Sequence, residues 1–189
     1  MNEAIFDKTY ESIDFSENFL NKGDYDNCNF INCTFSDSDL SNISFLECEF
    51  IDCNLSMCNI TNTAFKEVSF KKCKLLGLKF NDCDDFLFSV SFKDCNLNLS
   101  SFYGFTSKQT IFNDCKLQDA DFTEANIEGS VFTNCDLKNA LFNHTILEKV
   151  DFRTSHSFSI DPEMNRIKNA IFSIPEVIGL LEKYQIKIS

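Results

Sequence analysis

The sequence predicts an all-β solenoid, a square β-helix with four sides to each coil. Three observations carry the prediction. A large apolar residue recurs every five positions, at Phe50, Leu55, Ile60, Phe65, Phe70, Leu75 and Phe80. Two places ahead of each stands a smaller or slimmer one: Cys48, Cys53, Cys58, Thr63, Val68, Cys73, Leu78. Residue types recur again at twenty, so that Phe30, Phe50 and Phe70 form a column that Phe92, Phe112, Phe132 and Phe152 continue after a two-residue slip. Of the 22 phenylalanines, 16 fall on the centre of a five-residue unit.

Neither ordinary period accommodates this beat. On an α-helix a step of five turns the side chain by about 140°, which smears the apolar set around the axis. On a plain strand an odd step alternates faces, which sends half the set to water. A bend in every unit returns each centre to one interior, and that is the mark of a solenoid. Twenty divided by five gives four sides, with like stacked on like at a coil spacing of ~4.8 Å. Burying each ring is worth ~1.5–3 kcal/mol, enough for a core in a rod this narrow.

Taken in order, residues 1–27 carry a weaker beat, Ile5, Tyr10, Phe15, Leu20 and Tyr25, with the poor interior residues Glu3, Lys8 and Asn18 in the preceding slots. They read as a frayed or polar end cap. Residues 1–52 hold twelve acids against two bases. Residues 53–80 reverse the sign, with Lys66, Lys71, Lys72, Lys74 and Lys79 against Glu67. All five lysines fall on outward positions and read as a solvated belt.

Over 81–91 the register slips by two and Asp84, Asp85, Phe86 and Phe88 form an irregular edge. One coil later the same side carries Ser107 where a ring is expected. The stretch 103–111 is therefore read as a second irregular segment, with Tyr103, Phe105, Thr106, Ser107, Lys108 and Gln109 as a partner-contact loop, since loops on a rigid scaffold carry function. The alternative is that the off-beat rings Phe86, Phe88 and Phe105 cover a local defect in the core. Residues 113–152 return to strict repeats with Ala120, Ala125, Ser130 and Ala140 in the small slots, and 81–152 together hold twelve acids against five bases.

The beat breaks at 153–165 and returns at Ile167 and Phe172, which ends a rod of residues 1–172. Residues 173–189 form a separate module. Ser173 and Glu176 have the spacing of a capping box and predict a helix, and QIKI at the end predicts a short strand. Val177, Ile178, Leu180, Leu181 and Tyr184 offer more apolar surface than closing one coil requires, so this end is assigned as a homodimer interface.

The remaining composition excludes several classes. No apolar run reaches membrane-spanning length, and the N-terminal MNEAIFDKTYES lacks the features of a signal peptide. The ten cysteines keep the repeat's own beat, so they read as buried thiols and not as zinc ligands or disulfides. That usage implies a cytoplasmic protein. No nucleophile–base pair or phosphate loop is present, so neither an enzyme nor a cofactor is expected. A net charge of −12 argues against direct nucleic-acid binding.

The pattern of a small residue, a polar one, Leu or Phe, then two variable positions, kept from about residue 5 to 172, resembles the pentapeptide-repeat family. The resemblance implies a right-handed quadrilateral β-helix. A rod broken by a loop and closed by a helix and short strand is similar, within that family, to the quinolone-resistance (Qnr) proteins. This implies a tail-to-tail dimer and a type II topoisomerase, DNA gyrase, as partner, bound by DNA mimicry and protected from quinolones, with the loop tuning protection. A net −12 spread over a rod of ~40 Å averages one charge per ~3.3 Å, near the ~3.4 Å spacing of one DNA strand. Resembled resistance proteins carry an additional loop early in the rod, where 5–80 is unbroken here. The other reading is an interaction scaffold with an unrelated partner.

Overall fold

Each unit turns its corner because the residue two after the centre adopts a left-handed backbone. In the computed structural model, which describes residues 3–187, 26 non-glycine residues have φ between 50° and 63°. Thirteen of them are Asn or Asp, the side chains that tolerate this region best. The residue before the centre fixes the same corner from the other side. Carboxylate or amide oxygens of Asp14, Asp39, Asn59, Asp121 and Asp151 accept the backbone N–H two residues on, at 2.9–3.1 Å. Much of the acidity of this chain therefore serves the winding.

The coils stack in parallel. On the first side Glu3–Phe6 (β1), Gly23–Asp26 (β3), Ser44–Leu46 (β5) and Ala64–Lys66 (β7) make a four-stranded sheet. The second side begins with Thr9–Glu11 (β2), Asn29–Ile31 (β4), Glu49–Ile51 (β6) and Val68–Lys71 (β8). It continues with Val90–Lys93 (β9), Ile111–Asn113 (β10) and Val131–Thr133 (β11) as one seven-stranded sheet. Partners lie twenty apart, as in Phe30 against Phe50, and 22 apart across the slip, as in Phe70 against Phe92. Isolated parallel bridges join the other two sides.

The interior is a set of side-chain columns. On the second side Tyr10, Phe30, Phe50, Phe70, Phe92, Phe112, Phe132, Phe152 and Phe172 stack in eight successive steps of 4.5–5.5 Å, with planes within 17°. On the fourth side Phe80, Phe102, Phe122 and Phe142 do the same. Rings of adjacent columns meet edge-on, for example Phe45 and Phe50 at 5.3 Å and 76°, the arrangement the aromatic quadrupole favours.

The small slot has a second job that its size alone does not reveal. The thiols of Cys53, Cys73 and Cys95 donate to the centre carbonyls of Phe30, Phe50 and Phe70 in the preceding coil, at 3.2–3.4 Å. Hydroxyls and an amide act likewise: Thr63 to Leu40, Thr145 to Phe122, Ser155 to Phe132 and Asn165 to Phe142, at 2.7–2.9 Å. Where the slot holds Cys, Ser or Thr the residue is both compact and a donor, so these three interchange there, while Ala120, Ala125 and Ala140 meet the size requirement alone. All ten cysteines are buried and unpaired. Burial pushes the thiols of Cys48 and Cys58 up to about 12.

Two parts depart from the sequence reading. The stretch 103–111 is not irregular: Phe102, Ser107 and Phe112 hold consecutive centres and Thr106 bridges Asn126 as any regular unit would. Phe105 fills the slot two before Ser107 and is buried, so ring and small residue have exchanged places within one unit. The terminal module is also different. Instead of one capped helix, it forms two short 3₁₀ helices, Glu176–Leu180 and Glu182–Tyr184, with Pro175 at the N-cap position and no side-chain cap. Gly179 weakens helix propensity by ~1 kcal/mol, and a side chain there would strike the carbonyl and ring of Phe158. Gln185–Lys187 form no strand, and the last residue of the expected strand, 188, lies outside the described residues. The break at 153–165 is present, closed by a turn before Asn165 resumes the slot.

Candidate partner-binding surface

Outward positions follow the corners, so surface chemistry falls into strips along the rod. The edge between the first and second sides is acidic in its N-terminal half. Asp7, Asn27, Glu47 and Glu67 stack on the corner itself, with Asp26 beside it. Among the described residues Asp26, Glu47 and Glu67 form no ion pair. Further along, acids are neutralised: Glu128 lies between Lys108 at 3.2 Å and Lys149 at 2.7 Å, and Glu148 pairs with Arg166. Lys149 and Lys108 hold the Glu128 carboxyl below its ordinary range. In the lysine belt Lys71 pairs with Glu49, and that bond holds the Glu49 carboxyl low.

The slip at 81–91 places a bulge on the first side, where Asp84 still bridges Ala64 and the ladder resumes at Ser89, whose N–H donates to the Phe65 carbonyl. Asp84 closes the intervening turn by accepting the Phe86 N–H at 3.0 Å, and Asp85 is exposed. Phe86 stands 64% exposed under the Lys66 ammonium, 5.3 Å from its ring centre. Phe88 instead turns inward and packs on the core. Of the proposed contact loop, Tyr103, Thr106, Lys108 and Gln109 face solvent while Phe105 and Ser107 are buried. Those two act in the interior and cannot touch a partner.

At the rod's end the terminal module lies over Phe158. Ile160 donates its N–H to the Gly179 carbonyl at 3.0 Å, and Leu180 packs against the core. Lys183 bridges Asp161 at 2.6 Å and Glu163 at 2.7 Å, and the Tyr184 hydroxyl reaches Glu163. Lys183 holds both carboxyls below their ordinary range. Of the residues assigned to the dimer interface, Val177, Ile178 and Tyr184 are exposed, and Leu180 and Leu181 are half-buried. Ile174, 89% exposed, and Ile186 add exposed apolar side chains at this end of the chain. Among the described residues no three His, Cys, Asp or Glu side chains converge on a metal position, and no helix is long and apolar enough to cross a membrane.

Family comparison accounts for the winding. The pentapeptide repeat region model matches residues 24–102 and 85–152. The chain belongs to the pentapeptide-repeat family. Among solved structures, a trypsin-treated variant of QnrB1, described as a plasmid-mediated fluoroquinolone resistance protein, matches 99% of this chain and 100% of its own, with a TM-score of 0.64 at 16% identity. A second trypsin-treated QnrB1 variant gives a TM-score of 0.63 over the same shares, again at 16% identity. At that identity the likeness is one of fold. Comparison with curated proteins returns no match.

Proposed function

We propose that this protein is a non-catalytic, cytoplasmic DNA mimic that binds a type II topoisomerase, DNA gyrase, and shields it from quinolones. The observation that carries the reading is the unpaired acidic edge along the N-terminal half of a rod of stacked coils. Its column of nine rings runs about 40 Å from Tyr10 to Phe172. Such an edge fits a basic groove built for duplex, and its field speeds the encounter. The full-length likeness of fold to a fluoroquinolone resistance protein supports the same reading. A homodimer through Ile174, Val177, Ile178 and Tyr184 would add a second acidic half at the far end of the joined rods. Tyr103, Thr106, Lys108 and Gln109, with Phe86 on the bulge, are its proposed accessory contacts.

The test is a gyrase supercoiling assay in which this protein is titrated with and without a quinolone. Restored supercoiling in the presence of drug is expected, and Glu47→Lys with Glu67→Lys should abolish it. No effect at any ratio of protein to enzyme would discard the reading.

A second reading, an interaction scaffold for a different protein, is favoured by one feature. The coils from Ile5 to Phe80 are unbroken, and the sign of the surface reverses in their last third. An inert supercoiling assay would leave this reading standing.

A further inference from the structure

The left-handed corners are where this chain is least free to choose its residues, and they single out a second surface. Of the 26 non-glycine residues at positive φ, three are apolar: Met57, Leu87 and Leu99. A bulky apolar residue there gains nothing from the local hydrogen bonds that recommend Asn and Asp, and costs more than they do. All three are also exposed, at 58%, 65% and 58%. Neither folding nor solubility recommends them.

Leu87 stands on the bulge, but Met57 and Leu99 share the edge between the third and fourth sides. There the successive corners are Asp37, Met57, Gly77, Leu99 and Asp119. Gly77, at φ 67°, has no side chain, and the Met57 thioether occupies the space one would take. With half-buried Leu76 this makes an apolar stripe, and a cleft of about 240 Å³ opens beside it, lined by Met57, Ile60, Gly77 and Lys79 with Asp82 at its rim. Exposed Lys74 and Lys79 flank the stripe on its two sides.

We infer that this edge is a docking site for an acidic amphipathic helix of a partner protein. The dimensions agree: two coil steps separate Met57 from Leu99, ~10 Å at the strand spacing, and seven residues of α-helix rise ~10.5 Å. Two apolar side chains seven apart would then meet Met57 and Leu99, with acidic neighbours facing Lys74 and Lys79. The site differs in place and sign from the acidic edge and does not depend on the topoisomerase reading.

The test uses a fluorescein-labelled synthetic helix with two leucines seven residues apart among glutamates and alanines, followed by fluorescence anisotropy against the full-length protein. Wild type should bind it. Met57→Asn with Leu99→Asn should weaken binding at least about tenfold while raising thermal stability, because Asn suits the left-handed corner. Lys74→Glu with Lys79→Glu should also weaken it at least about tenfold, and Glu47→Lys with Glu67→Lys on the acidic edge should not. Three results would each overturn the proposal: no binding to wild type up to about 100 μM, equal binding to the Asn variant, or an Asn variant less stable than wild type. The last would mean that the apolar corners serve the rod.

Discussion

The ring of Phe88 meets that of Phe105 edge-on, with centroids 4.8 Å apart and planes at 89°. One ring comes from the bulge and the other from a slot that elsewhere holds Cys, Ala or Thr. Together they fill the space left by Ser107, where the centre should carry a large side chain. The two irregularities are thus one compensated defect. Phe105→Ala should cost ~3–5 kcal/mol in urea unfolding. In a double-mutant cycle with Phe88→Ala the pair should show a coupling of ~0.5–1.5 kcal/mol. Additive losses would mean that the two rings fill separate spaces.

The column of stacked rings makes its own forecast. Phe50 is fully buried between Phe30 at 4.7 Å and Phe70 at 5.0 Å, so Phe50→Ala should cost ~3–5 kcal/mol. Outward Asn54 is not idle: it donates to the Ser36 hydroxyl and accepts from Ser56. Its replacement by Ala should cost ~0.5–1.5 kcal/mol. Chemical denaturation of both variants decides whether burial outweighs surface hydrogen bonding by that margin.

The fold was legible because a five-residue beat has one economical explanation, and the columns at twenty gave the number of sides. The bulge was legible too, since a slip of two that leaves the columns in phase can only protrude. The exchange of Phe105 and Ser107 was misread as a loop because a ring missing from a centre looks the same in sequence whether the backbone departs or the neighbour turns inward. The signal was there: Phe105 stands two before Ser107, in the inward slot. The donor role of the cysteines was hidden by their size, although Ser, Thr and Asn in the same slots pointed to it. In the terminal module a capping-box spacing outvoted Pro175 and Gly179, whose backbone constraints decide the outcome. The apolar corners at Met57 and Leu99 passed unremarked because the left-handed conformation becomes visible only with the backbone in hand.

Burial of Cys48 and Cys58 makes the rod sensitive to alkali. Folding holds Cys48 and Cys58 as thiols up to about 12, whereas an unfolded cysteine ionises near ~8.5. The folded state therefore binds more protons above that pH, and stability should fall as pH rises from ~8.5 toward 12. In native protein at neutral pH the ten thiols should resist alkylation until denaturant is added. Cys53→Ser, which keeps a donor for the Phe30 carbonyl, should destabilise less than Cys53→Ala. Equal losses would show that the slot selects for size alone.

The terminal module should respond to acid before the rod does. Lys183 holds Asp161 and Glu163 below their ordinary range, so the two pairs stabilise the module above the unfolded carboxylate pKa of ~4. That contribution is lost as pH falls through the depressed folded values. Hydrogen exchange followed from pH 7 to pH 3 should therefore show the N–H of Ile160, bonded to the Gly179 carbonyl, losing protection while Phe50 keeps its own. Lys183→Met should reproduce the effect at neutral pH. If the module is also the dimer interface, light scattering at micromolar concentration should report a dimer that the same acid shift dissociates. Ile174→Asp should give a folded monomer, because Ile174 projects from the module and supports nothing within the chain. A wild-type monomer at neutral pH, or an Ile174→Asp dimer as tight as wild type, would remove the interface from this end. Unchanged protection of Ile160 at pH 3 would instead show that Gly179 and Leu180 hold the module without help from Lys183.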